Sequence, residues 1–591
     1  MTLWPVFREQ RRSRRFGRTM LTVFEVKKEI SAENAPLSAR SLSKRGAMMT
    51  TGAGTFFSLL SILLLLGSPS ATARQDFGEV AFLNSGPSAA QVDFLHGLAQ
   101  LHNFEYEDAA EHFRKAEQIA PDFALAFWGE AMTKNHAMWH EEDVSAAREI
   151  LNRLAPTAEA RLAKAPTERE KLYLRSVEVL YGEGTKDERD RRYESVLAEL
   201  HRKFPDNVDA ASFYALAILG TAEHGRDFTT YMRAAAVLEE VFPQHPRHPG
   251  VVHYLIHCYD DPVHAPLGLR AARIYSKIAP DASHAQHMTS HIFLALGMWD
   301  EEVKANETAM LVVNRPRQKA GKPPVMCGHV NEWLEYGYLQ QGRVAEARRM
   351  LEGCRQAAER AAAAAEHAST SGSHTMGNMM GGMTPAMMAV GSYVEMRAHF
   401  LIDSQLWNDD VARWTLPAGD YPFAQLTFDY TNAIAAMKRG DLAVAREAVS
   451  RAESARQHTK AWMDQHKMDQ PQMNETLLIA IEQLHALLTA AQGKSDDAMI
   501  ELQRIAAKEH QLPLEFGPPN IEKPTDELLG EMLLELHRPS EARDVFRAAL
   551  ARTPGRRLVL DDLARTDEEM AAAAAKEGVK QPSANSPAHK H

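Results

Sequence analysis

An all-α fold built from repeated helical hairpins is what this sequence predicts, and three observations predict it. Ala, Leu, Glu and Arg dominate the 591 residues while aromatics make up only 7%, and these residues lose least side-chain entropy in a helix. Runs of alternating β-branched residues are nearly absent, so nothing carries the period of two that a strand requires. One pattern of small, aromatic and proline residues then recurs at fixed intervals, the signature of a repeat array.

Gly97, Ala109, Phe113, Ala116 and Pro121 are separated by 12, 4, 3 and 5 residues, and Gly530, Ala542, Phe546, Ala549 and Pro554 repeat those intervals. Small residues let paired helices approach, the aromatic fills the gap between them, and proline cannot continue a helix. Ala234, Leu238, Val241 and Pro246 keep the last three intervals, as do Gly268, Ala272, Tyr275 and Pro280, with the two prolines 34 residues apart. A further unit runs through Trp333, Leu339, Gly342, Ala347 and Leu351, and later helical pairs turn at Gly440 and Gly493. The pattern resembles the tetratricopeptide repeat (TPR), which implies an α-solenoid, a superhelix of helical hairpins with a concave binding groove. That fold hosts many unrelated tasks, so the resemblance names no activity.

Residues 1–73 carry 11 Lys/Arg against 4 Asp/Glu, which leaves 56 against 74 for the rest, a net of −18 where the whole chain has −11. So acidic a body repels phosphate backbones, and nucleic acid is not an expected partner. Lys44 and Arg45 precede an apolar run at 56–66, and Ala71-Thr72-Ala73 follows it. This is the layout of a secretory signal peptide, and the run is too short to span a bilayer comfortably. Met48 or Met49 is the natural start. The expected division is therefore an upstream extension or long n-region (1–47), a signal peptide (48–73) and an exported, periplasmic or otherwise extracytoplasmic body. An uncleaved leader would instead keep the protein close to the membrane. Cys258, Cys327 and Cys354 form no C-x-x-C pair, so one bridge plus a free thiol and three buried thiols are both open.

The body divides into a first array (74–355), an Ala/His/Met-rich insertion (356–390), a second array (391–565) and a disordered tail (566–591). An Ala-rich helix at 360–368 is expected to run into a flexible Ser/Gly/His/Met segment that cannot bury a core. That segment, with His374, Met376, Met379, Met380, Met383, Met387 and Met388, also has the soft donors that favour Cu(I). Near the last repeat, Gly517-Pro518-Pro519-Asn520 makes a stiff approach to a helix beginning at Thr525, with no function read into it.

The stretch 250–295 carries the most chemistry. His253 and His257 are four apart, as are His287 and His291, with His284 just ahead of the second pair. Residues four apart share one helix face. His253 and His287 are 34 residues apart, and so are His257 and His291, which places them at equivalent positions of neighbouring repeats. The TPR resemblance implies that these first-helix positions line the groove, joined there by Asp260, His329 and Glu332. Such imidazole and carboxylate clusters suit a transition metal, zinc or copper above all. Residues 253–293 also resemble an uncharacterised family of bacterial exported repeat proteins, through HYLIHCYD at 253–260 and HAQHMTSHIF at 284–293. That likeness implies a shared site without naming its chemistry.

Trp128, Met132, His136 and Trp139 are weaker groove candidates, the first two as an apolar wall or as core, the last two as groove residues or a turn with a stacked Trp. No G-x-S-x-G, G-x-x-x-x-G-K, G-x-G-x-x-G or H-E-x-x-H occurs, so no enzyme motif argues for catalysis. Three readings remain: a metal-binding groove, a scaffold holding a protein or peptide without metal, and a metal-dependent hydrolase with Glu332 or Asp260 as base. The oligomeric state is not readable.

Overall fold

The computed structural model describes residues 76–222, 225–371, 383–466, 468 and 470–579. The predicted extension, the signal peptide and the segment 372–382 lie outside them. The described residues form twenty-three α-helices, two short 3-10 turns and one antiparallel bridge, Asn135–His136 with Glu141–Glu142. The fold is an all-α, TPR-like solenoid. Among the described residues no helix is long and apolar enough to cross a membrane.

The repeated letters do the work their spacing suggests. In the hairpin Ser88–His102 and Tyr106–Ile119, a side chain on Gly97 would come within 3.1 Å of the Phe113 ring. Gly129, on the following helix Ala124–Met132, faces the same ring from the other side. Phe113 is thus wedged between successive first helices that approach because neither carries a Cβ there. Phe546 fills the same gap against Gly530 in the hairpin Thr525–Glu535 and Pro539–Arg552. Gly440 and Gly493 turn the hairpins Pro422–Lys438/Leu442–Gln465 and Pro471–Ala491/Ser495–Glu509 with φ of +81° and +83°, a region open to glycine.

Helix extends further than the sequence predicts at two places. Helix Val344–Ser371 runs through the first part of the predicted insertion, and Pro385–Ser404 begins inside its end. Ala358, Ala362 and Val390 are buried there, because small residues suffice where a neighbouring helix lies close. Helix Arg557–Val579 covers most of the expected tail and buries Thr566. Cys327 and Cys354 are disulfide-bonded, and Cys258 is a buried free thiol.

The superhelix curls until its late repeats meet its middle. Trp299 donates its indole N–H to the Gly555 carbonyl at 2.7 Å, and Arg556 donates to the Tyr336 hydroxyl at 2.8 Å. Fully buried Arg556 also pairs with Glu527 and, at 3.2 Å, with Asp403. This closure brings the Gly517-Pro518-Pro519 segment over the inner wall of the middle repeats.

Candidate metal centre

Helix Pro249–Cys258 starts with Pro249 at its first turn, where no amide donor is needed, and all ten of its residues are buried. Gly250 leaves room for the His102 ring, which a Cβ at that position would strike. Helix Ser283–Ala295 packs alongside one repeat later, and helix His329–Gln340 follows. These helices are buried over most of their length, which takes His253, His257, His287 and His291 out of water together, while His284 is half-buried and His329 exposed.

Those histidines gather as two trios. In the first, His253 Nε2 lies 3.1 Å from His257 Nε2 and 3.2 Å from His284 Nε2. In the second, His287 Nε2 lies 3.1 Å from His291 Nε2, and His329 completes the group. Within each trio the ligating nitrogens are all within 4.8 Å of one another. The two are built alike: a pair four apart on one first helix, and a third ring from the start of the next first helix.

Hydrogen bonds on the far side of the rings fix their tautomers. His253 Nδ1 faces the His102 carbonyl at 2.7 Å, and a carbonyl only accepts, so Nδ1 carries the proton. His287 Nδ1 donates to Asn306 Oδ1 at 2.7 Å, and Asn306 in turn donates its amide to Glu302 at 2.5 Å. His291 Nδ1 donates to Asp260 at 2.5 Å. Three Nε2 lone pairs are therefore turned inward. Burial first, and then the adjoining imidazoles, hold His253, His257, His284 and His287 well below the usual imidazole range, which keeps them neutral. Neutral imidazoles whose second nitrogen is held by a carbonyl, amide or carboxylate are the form in which histidine ligates metals. The donors present fit a first-row transition ion.

Aromatic rings wall the site. Phe104 sits 4.4 Å from His253 between ring centroids and 5.5 Å from His284, on a backbone with φ of +57° that costs about 1 kcal/mol for a residue with a side chain. Trp333 lies 4.2 Å from His291, and Phe516 from the returning late segment lies 5.5 Å from the same ring. Gly517 makes that approach possible, since a Cβ there would fall 2.7 Å from the Trp333 ring. His329 opens onto a cavity of about 660 Å³ whose lining includes Glu332, Glu395, Phe516, Glu522 and the methionines Met383 and Met387.

A third cluster braces the first trio. His102 Nε2 and His248 Nε2 meet one oxygen of Asp209 at 3.0 and 3.2 Å, all three buried. Burial alone would raise the Asp209 carboxyl, but the hydrogen bonds from His102 and His248 override it and hold it well below the usual range. With its imidazoles spent on a carboxylate, this group reads as a structural pin whose backbone carbonyl orients His253.

The other residues singled out from sequence fall in three places. Asp260 backs His291, whereas Glu332 is turned to Ser392 and Glu395 and joins neither trio. Trp128 and Met132 are buried in the first hairpins' core, Trp128 against Phe82, Tyr173 and Phe213. His136 stacks on Tyr106 at 4.2 Å, and Trp139 reaches the rim, 6.4 Å from His284. Sequence reasoning missed His102 as orienting group, Asn306, Phe104 and Phe516. None belongs to a motif; only the Gly-Pro-Pro run beside Phe516 marked that segment as stiff.

No family profile and no curated protein matches this chain. Among solved structures it is similar to Cut9 of the APC/C hetero-tetramer Cut9–Hcn1, at 12% identity over 82% of this chain and 78% of that one, with a TM-score of 0.32. Yeast Tom70 matches at 10% identity over 84% of this chain and 100% of that one, TM-score 0.29. A human IFIT1 dimer with PPP-AAAA matches at 14% identity over 82% and 91%, TM-score 0.33. Identities this low speak to the fold alone.

Proposed function

We propose that this is an exported helical-repeat protein whose inner surface binds transition-metal ions through the groove histidines. The observation that carries the reading is the convergence of imidazole Nε2 atoms from successive first helices, three of the rings, His253, His287 and His291, being aimed by a partner on Nδ1. Nitrogen-only donors suit copper and zinc among the divalent ions, with copper the stronger binder. The Cys327–Cys354 bridge supports the exported reading, because disulfides persist in oxidising compartments.

Elemental analysis of protein recovered from the exporting compartment tests the reading. Near-stoichiometric metal is expected, lost in a His253→Ala/His287→Ala double variant that still melts cooperatively. A metal-free wild type that acquires none on dialysis against copper or zinc would refute it.

A second reading, a scaffold for a protein or peptide partner, is favoured by the roomy cavity beside His329. It predicts partner binding that a chelator leaves unchanged. The hydrolase reading needs a free carboxylate base, and both candidates are engaged: Asp260 with His291, Glu332 with Ser392 and Glu395.

A further inference from the structure

We infer that the six groove histidines form two separate three-imidazole sites side by side, a dinuclear centre for nitrogen-preferring first-row ions such as copper or zinc. The inference rests on the metal-binding reading above and adds the number of ions and how the ligands are divided between them.

The division follows from geometry. His253, His257 and His284 bring their ligating nitrogens within 4.8 Å of one another, and His287, His291 and His329 do the same as a distinct group. His284 and His287 share a helix and are three residues apart, yet each is committed to a different trio, with 6.4 Å between their ring centroids. Between ring centroids His257 and His291 are 6.2 Å apart, no further than His291 and His329 within the second trio, so the division lies in the ligating nitrogens and not in the rings. In the second trio His287 and His291 both carry their proton on Nδ1, so two lone pairs face each other across 3.1 Å, an arrangement that a metal ion, or a proton shared between the rings, satisfies. In the first trio only His253 has its proton fixed on Nδ1, and its Nε2 lone pair faces the Nε2 atoms of His257 and His284 at 3.1 and 3.2 Å.

Three protein ligands leave a coordination position free, as open metal sites do. Both trios belong to one lining of adjacent helices. Two-metal sites elsewhere hold their ions about 3.5–4 Å apart. Access is from the cavity onto which His329 opens, and Trp139 stands at the rim beside His284.

The test uses the full chain titrated with Co(II) as an optical probe, then with Cu(II) and Zn(II) in separate runs, the stoichiometry being read by native mass spectrometry. Two ions per chain are expected. His284→Ala and His329→Ala, chosen because these rings are the least buried of their trios, should each bind one, and the pair together should bind none tightly. Unchanged helical circular dichroism and melting establish that each variant is folded, and His284→Gln and His329→Gln replace any that is not. A wild type that binds a single ion, lost through substitution in either trio, overturns the two-site division and leaves the metal-binding function standing. Binding of none of the three metals overturns both. Two ions that are released together by His284→Ala alone would also overturn the division. The Cu(II) and Zn(II) runs, competed against each other, identify which ion the pair prefers.

Discussion

At the scale of single residues, the proposed metal centre depends as much on what stands behind the rings as on the rings. Asn306 holds the proton of His287 on Nδ1 and is itself held by Glu302. Asn306→Leu keeps the volume and removes the acceptor, so His287 is free to take the other tautomer or rotate. Metal affinity should fall about 10- to 100-fold with little change in melting, measured by competition with a chelator. That these histidines gather was legible from their spacing, because a four-residue separation and a 34-residue repeat determine which face a ring occupies. The orienting groups were not. His102 acts through its backbone carbonyl, which every residue possesses, and Asn306 reaches His287 from a second helix whose rotation no pattern reports. Glu332 shows the same blindness in reverse. Its register placed it in the groove, yet the helix Pro385–Ser404 offers Ser392 and Glu395 as nearer partners.

At the scale of helices, the glycine–aromatic wedge sets how closely consecutive hairpins pack. Phe546 is fully buried against Gly530, and a side chain at 530 meets its ring from Cε1 to Cζ. Gly530→Val should lower stability by about 2 kcal/mol, read by chemical denaturation, since a packed aromatic cannot withdraw without opening a gap elsewhere. This part of the fold could be read directly, because proline, glycine and aromatic residues have few alternative roles at those intervals. The Ala-rich helix expected at 360–368 lies within Val344–Ser371, but its packing was not legible: Ala358 and Ala362 are buried because they need only fit beneath a neighbouring helix.

At the scale of the molecule, the closure between late and middle repeats is held by a buried cation. Arg556 lies between Glu527, Asp403 and the Tyr336 hydroxyl, the last two of which stand more than a hundred residues before it in sequence. Arg556→Met leaves buried Asp403 without its counter-charge and Glu527 with Lys523 alone, and a loss of about 3 kcal/mol is expected in equilibrium unfolding. Such a contact was invisible in the chain, since nothing local distinguishes an arginine that pairs across a superhelix from one on its surface. The groove reading had the inner helices open to a ligand; instead His253, His287 and His291 are all less than 4% exposed, covered by Phe104 on one side and Phe516 on the other.

The Cys327–Cys354 bridge acquires a meaning from where it sits. Cys327 comes two residues before His329, and Cys354 lies on the helix that packs behind it. Sulfur chemistry therefore tethers the stretch of chain that delivers the last imidazole of the second trio. A chain still in its dithiol form would hold the neighbouring three rings ready and this set one member loose.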